Sequence, residues 1–253
     1  MAHRYFIKLS YDGTNYHGWQ VQPGEDTVQS TLEKALKTLL KEEISLTGAG
    51  RTDTGVHAKE FYAHFDTIKS QGEISKIDLV YKLNSILPDD IAIDNILPVN
   101  ENAHARFDAT ERTYHYYICT RKDPFFLGKA WFYYRKPDIE KMNAAAKILY
   151  NYTDFTSFSK TNTQTKTNNC NIKNAHWIKE DQMLIFEITA DRFLRNMVRA
   201  IVGTLVEIGL DKMPVEEIEN IIRAKNRSSA GYSVPAHGLF LSGIKYPEEI
   251  FIY

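Results

Sequence analysis

Residues 113–120 alternate so regularly that they leave little choice but a β-strand: Tyr114, Tyr116 and Ile118 fall on one face, His115, Tyr117 and Cys119 on the other. Residues 5–11 alternate in the same way and stop at Asp12-Gly13, a turn signal. Further strands are expected at Ile44 and Leu46 running into Gly48-Ala49-Gly50, through Ile91 and Ile93, and near residues 174–178, 183–189 and 239–246. Helical spacing places Val28, Leu32, Leu36, Leu39 and Leu40 on one helix face, with Asp26 as N-cap and Gln29 as its capping-box partner. Helices are also expected over 75–87, stopped by Pro88, and over 138–150, 192–208 and 215–224. Strands outnumber helices long enough to serve as crossovers, so the sheets should be mixed or antiparallel and the fold class α+β.

At 253 residues the chain is long for one core and comfortable for two, and the break is expected near residue 103, giving domains 1–103 and 104–253. Hydrophobic residues at 43% and charged residues at 25% exclude a disordered or collagen-like chain. Cys119 and Cys170 lie far apart without metal-ligand spacing, so no metal site or disulfide framework is expected and a reducing, cytoplasmic setting fits. Charge interrupts the N-terminus too early for a secretory signal, and no apolar run approaches the ~20 residues of a membrane span. A soluble, non-exported protein is the expectation. Net charge is -1, which argues against a nucleic-acid partner only if the basic residues are evenly spread.

Three constellations suggest chemistry. In Gly48-Ala49-Gly50-Arg51-Thr52-Asp53-Thr54-Gly55-Val56-His57-Ala58, three glycines bracket one Arg and one Asp. Such a loop can present Asp53 in a fixed pose, with Arg51 near enough to touch a phosphate or ribose; an ordinary tight turn explains the same composition. The order of a phosphate-binding P-loop is absent. His57 would share a face with Asp53 if residues 53–57 formed a helical turn, as a structural or substrate-contacting group.

Second, Arg192, Arg195 and Arg199 follow at spacings of three and four on the expected 192–208 helix, forming a basic stripe without an acid. That pattern fits either a solvated helix face or an anion-facing surface. Arg199 borders residues that must be buried and so calls for a carboxylate or phosphate partner, with Asp53 a candidate. Third, Tyr114, Tyr116 and Tyr117 on one strand, and Tyr11, Tyr16 and Trp19 around the first turn, are either core or platforms for unstacked bases. The run 159–169 is polar and free of acids, open to reading as a solvated linker or as an RNA-facing loop.

Several segments in order carry a likeness over nearly the whole chain: Tyr11-Asp12-Gly13-Thr14 with Tyr16-His17-Gly18-Trp19-Gln20, the Gly50 to Ala58 stretch, and Leu83-Asn84-Ser85-Ile86-Leu87-Pro88-Asp89-Asp90-Ile91. Ala105-Arg106-Phe107-Asp108-Ala109-Thr110 with Arg112 and Tyr114, Asp154-Phe155-Thr156-Ser157-Phe158, Asn196-Met197-Val198-Arg199 and Pro235-Ala236-His237-Gly238-Leu239 continue it. With these the chain resembles the TruA family of tRNA pseudouridine synthases.

The resemblance implies two similar α/β subdomains with a central cleft, a homodimer, and no metal or organic cofactor. It implies isomerisation of uridines 38, 39 and 40 in the tRNA anticodon arm, through base flipping. Asp53 matches the family's essential Asp, Tyr114 its active-site Tyr, and Arg199 the basic residue paired with that Asp. Arg51 matches a residue used near the flipped nucleotide, and Thr52, His57, Arg192 and Arg195 join it as candidate substrate contacts. The chain departs from the family at Asn169, Cys170 and Asn171, where members often carry a basic residue; Lys166 or Lys173 would have to compensate. Two other readings stay open on sequence: a catalytically inactive tRNA-binding or RNA-folding protein, and a hydrolase releasing free uracil.

Overall fold

The computed structural model describes residues 2–160 and 167–252. The chain forms two compact units, one of Met1–Thr110 with Leu241–Tyr253 and the other of Glu111–Phe240. The sequence-based division at 103 and these units differ at two places. Residues 104–110 are tied into the first unit by hydrogen bonds such as Ala105 N to His64 Nδ1 (3.1 Å). The C-terminal segment returns to it through Ile244 N to Glu60 Oε1 (2.9 Å) and Ile252 N to the Pro98 carbonyl (3.0 Å).

In the first unit, β1 (His3–Tyr11) lies between β3 (His57–Thr67) and β4 (Ile91–Pro98), antiparallel to both. A central strand must bury both faces, and Tyr5, Phe6, Ile7, Leu9 and Tyr11 are all buried. Phe6 meets the rings of Tyr62, His64, Tyr246 and Phe251. Each such side chain contributes about 1.5–3 kcal/mol by burial. β2 (Thr47–Gly48) adds a short pairing to β3, and β9 (Leu239–Lys245) follows β3 in the strand order.

The first helix, α1 (Val28–Leu40), packs Val28, Leu32, Ala35, Leu36 and Leu40 inward. Its cap is Thr27, one residue beyond the expected Asp26: Thr27 Oγ1 accepts from Ser30 N while Thr27 N donates to Ser30 Oγ. Gln29 is engaged elsewhere, donating to Glu33 and to the Leu46 carbonyl. The strand expected from Ile44 and Leu46 into Gly48-Ala49-Gly50 shrinks to Thr47–Gly48, because Leu46 N donates to the Glu33 carboxylate at 2.8 Å rather than to a strand. The helix expected over 75–87 is two, α2 (Gln71–Ile77) and α3 (Leu79–Ile86), broken where Asp78 takes φ +51°.

In the second unit, β5 (Glu111–Cys119) and β7 (Ile172–Glu180) flank β8 (Met183–Ala190), all antiparallel, and β6 (Trp131–Phe132) runs parallel to β5. The sheet pairing is therefore mixed and the class α+β, as the strand count implied. The helices are α4 (Ile139–Ile148), α5 (Met197–Gly209) and α6 (Glu217–Ala224). Helix α5 is the spine of this unit, with eleven of its thirteen residues buried. A helix buried nearly all round needs close backbone neighbours, and Gly203 supplies one: a Cβ there would lie 1.9 Å from the Tyr232 carbonyl oxygen.

The 192–208 helix is corrected by the structure, since α5 starts only at Met197. Asn196 has φ +68°, which a right-handed helix cannot continue through. Upstream, the Asp191 carboxylate accepts from both Asn171 N and Arg192 N at 2.7 Å, tying residues 191–192 to the start of β7. Of the polar run 159–169, residues 161–166 lie outside the described residues, and Lys166 with them. Among the described residues no helix is long and apolar enough to cross a membrane.

Candidate functional site

The Asp53 loop belongs to the first unit, between β2 and β3, and is built on the turn that follows β1. The Asp12 carboxylate caps the turn Gly13–Asn15 by accepting from Thr14 N at 3.1 Å and Thr14 Oγ1 at 2.6 Å. Two glycines then let this turn lie against the Asp53 loop. A Cβ on Gly13 would sit 2.0 Å from the Val56 carbonyl oxygen, and one on Gly18, at φ +87°, would sit 2.3 Å from that of Thr52. No other residue permits such approach.

Hydrogen bonds complete the brace. Tyr11 Oη and Thr52 Oγ1 are 2.9 Å apart, Gly55 N donates to the Tyr16 carbonyl at 3.3 Å, and Val56 N closes the loop on the Asp53 carbonyl at 3.1 Å. Tyr16 Oη in turn donates to Asp90 at 2.5 Å, and burial with that carboxylate raises its pKa above the usual tyrosine range. Asp53 is half-buried and Arg51 exposed.

His57 does not share a helical face with Asp53: residues 53–57 form a turn leading into β3, and the imidazole is 1% exposed. Its Nδ1 lies 3.0 Å from Gly13 N and 2.9 Å from Asp12 Oδ1, so either protonation state finds a partner there. That position makes it a pin for the turn under the loop rather than a surface for substrate. Tyr11, Tyr16 and Trp19 are likewise core, all under 7% exposed, with Trp19 and Phe61 centroids 4.2 Å apart. The sequence signals for this brace were the Asp12-Gly13 turn and Gly18, which gained meaning only once Thr52 and Val56 were known to lie against them.

In the second unit, Tyr114 is half-buried on β5, its ring meeting Phe193 edge-on at 5.1 Å. Tyr116 on the same face is core: its hydroxyl donates to the Pro235 carbonyl at 2.8 Å, and burial raises its pKa. Tyr117 is half-buried on the opposite face, against Phe240.

Arg199 alone of the three arginines stands on α5. Its Nε donates to the Val234 carbonyl at 2.7 Å, and Val234 N donates back to the Arg199 carbonyl at 3.3 Å. The 231–234 segment is held in turn by Gly231 N to Thr204 Oγ1 (2.9 Å) and by Ser233 Oγ, which accepts from Asn196 and Arg227. His237 is close enough for the Arg199 charge to lower its pKa, burial being the larger cause. Arg192 and Arg195 precede the helix, half-buried and exposed respectively, so the basic stripe is a loop followed by one helical Arg.

Neither cysteine faces a reaction: both are buried, and burial pushes the Cys170 thiol up to about 12. Lys173, considered as a replacement for the missing basic residues, is engaged with Glu111 at 2.8 Å. Among the described residues no group of three or more His, Cys, Asp or Glu side chains is arranged to hold a metal ion.

The first unit thus presents a glycine-braced Asp loop, and the second holds Tyr114 against the Phe193 ring and Arg199 against the Val234 backbone. The family model described as tRNA pseudouridine synthase matches residues 8–108 and 145–247, and the chain belongs to that family. It is 52% identical to tRNA pseudouridine synthase A of Parabacteroides distasonis, over 98% of each chain. The protein of the same name from Bacteroides thetaiotaomicron is 51% identical, over 98% of this chain and 92% of the relative. That from Bacillus licheniformis is 42% identical, over 94% of this chain and 97% of the relative.

Proposed function

We propose that this chain isomerises uridine to pseudouridine in tRNA, at positions 38, 39 and 40 of the anticodon arm, with Asp53 as the reacting carboxylate. The observation that carries this reading is the pose of the Asp53 loop, held against the Asp12 to Gly18 turn by contacts only glycine allows, in a chain of this family. In the reaction the bond from ribose C1′ to N1 of the base breaks, the base turns, and C1′ joins C5. The proton leaves C5 and N1 gains one, so reactant and product are isomers and neither oxidant nor reductant is needed.

A uridine stacked in a stem is out of reach of any carboxylate, so the nucleotide must be flipped out, at about a few kcal/mol. Contacts to phosphate offset that, and Arg51, Arg192 and Arg195 are assigned to them. Tyr114 takes the contact with the flipped base, and Arg199 supplies fixed positive charge to the reaction. Thr52 orients the loop through its hydroxyl bond to Tyr11. The protein acts as a homodimer in the cytoplasm; Phe125 and Leu127, 90% and 85% exposed in the second unit, are apolar surface of the kind a second copy covers.

Replacement of Asp53 tests the assignment. Asp53→Asn should abolish pseudouridine formation while unfolding temperature and tRNA affinity stay close to those of the unaltered protein. Substantial turnover by Asp53→Ala would remove Asp53 from the chemistry.

A further inference from the structure

The segment Ala105-Arg106-Phe107-Asp108-Ala109-Thr110 has no part in the assignments above, yet the structure holds it with unusual care. His104 N donates to Asp108 Oδ2 at 2.7 Å, and Asp108 N returns to the His104 carbonyl at 3.0 Å. His104 Nδ1 accepts from Arg106 N at 3.1 Å and from Phe107 N at 3.3 Å. Ala105 donates its N–H to His64 Nδ1 at 3.1 Å and accepts at its carbonyl from Tyr246 Oη at 2.5 Å.

Both imidazoles must be neutral at Nδ1 to accept these amides, and burial keeps them so, lowering His104 and pulling His64 down to about 4. The rings form a column: His64 is 6% exposed, His104 meets it edge-on at 4.7 Å, and Phe107 leans on His104 at 4.3 Å with a 34° tilt. Phe107, the outermost residue of the column, is 73% exposed.

A phenyl ring stabilises a fold by being buried, and this one is not. A rigid mount for an exposed ring matters instead for binding, because little side-chain freedom is then lost on association. The neighbours of Phe107 in sequence are Arg106 and Asp108, so the ring is set among charges rather than in an apolar run, and the Arg106 guanidinium carbon lies 5.6 Å from its centroid. An aromatic face beside a guanidinium is the chemistry that takes an unstacked base together with its phosphate.

We propose that Phe107 and Arg106 form a positioning contact for the substrate RNA, an unstacked base lying on the Phe107 ring and its phosphate on Arg106. This rests on the reading that the chain acts on tRNA. Flipping a nucleotide uncovers the faces of its former neighbours, so such a contact offsets part of the unstacking.

Affinity of the full chain for unmodified tRNA, with pseudouridine formation followed in parallel, tests the proposal. Phe107→Leu keeps the apolar area but loses the ring, and should weaken tRNA binding about tenfold and raise KM, with kcat and unfolding temperature nearly unchanged. Phe107→Trp should bind at least as well as the unaltered chain. Equal affinity of Phe107→Leu and the unaltered chain would overturn the contact, as would equal losses in Phe107→Leu and Phe107→Trp. A fall in oligomeric state in Phe107→Leu would overturn it too, by assigning the ring to a protein interface. A failure of the unaltered chain to bind tRNA would strike the underlying reading instead, and the contact with it.

Discussion

The Asp53 loop in the first unit and the approach to Arg199 in the second solve the same problem, holding one charged group still, by opposite means. Around Asp53 a surface loop is fixed by a second loop: Gly13 and Gly18 bring the 13–18 backbone against Thr52 and Val56, and buried Tyr11 and His57 lock the pair. Around Arg199 a buried helix is the fixed body, and the 231–234 segment is laid on it through Gly203, Thr204 and two bonds to Val234, one from the Arg199 side chain and one to the Arg199 carbonyl. Disturbing the first arrangement should injure activity ahead of stability; disturbing the second should injure stability first, because α5 is the core of its unit.

Matched glycine substitutions should separate the two regions most. Gly203→Ala drives a methyl into the Tyr232 carbonyl and should cost about 2–4 kcal/mol. In thermal unfolding that amounts to a fall of about 5–15 °C. Gly18→Ala meets the Thr52 carbonyl and a left-handed backbone, at about 1–3 kcal/mol. Its kcat should fall about a hundredfold or more, a loss that the folded fraction alone does not explain, since a 1 Å misplacement of a reacting group has that effect. Similar losses of activity and stability in both variants would erase the distinction.

Next in size is the loop carrying Arg192 and Arg195. The double change of both residues to Gln should weaken tRNA binding about tenfold and reduce the slope of log affinity against log salt by about 1–2. An unchanged slope would leave these side chains with a purely structural role.

A smaller effect is expected from acid. His64 titrates at about 4 in the folded protein against an ordinary 6.5, so the unfolded chain takes up its proton first as pH falls. Stability present above pH 6.5 should therefore decline toward pH 4, and unfolding curves of His64→Asn should show a shallower decline. Smallest of all is Gly50→Ala. Apart from its chain neighbours nothing lies within 4 Å of a Cβ there, so stability should rise by only about 0.4–1 kcal/mol.

The contrast between the two regions also marks what could be read from the sequence. Strand alternation over 113–120 and 5–11 identified β5 and β1, because a period of two survives any tertiary setting. In the Asp53 stretch the glycines flanking charge were equally those of an ordinary turn, and the close approach of Gly13 and Gly18 to Val56 and Thr52 comes only with the fold. The Arg192 stretch misled because three arginines at helical spacing look alike on a helix and on an irregular loop; the left-handed Asn196, whose side chain is bonded to Ser233, separates the two. The return of residues 241–253 to the first unit was equally hidden, since it depends on pairings with residues far away in sequence, such as Ile244 with Glu60, 184 positions apart. The rigid mount of Phe107 is equally invisible in the Ala105-Arg106-Phe107 order, because it is made by His64 and His104 packed beneath the ring.

The braced Asp53 loop is proposed to carry out uridine isomerisation. Purified protein incubated with unmodified tRNA, followed by mapping of pseudouridine at every uridine, tests it most directly. New pseudouridine confined to positions 38, 39 and 40, absent with Asp53→Asn, is the predicted result; no pseudouridine in any tRNA, or release of free uracil in its place, would contradict it.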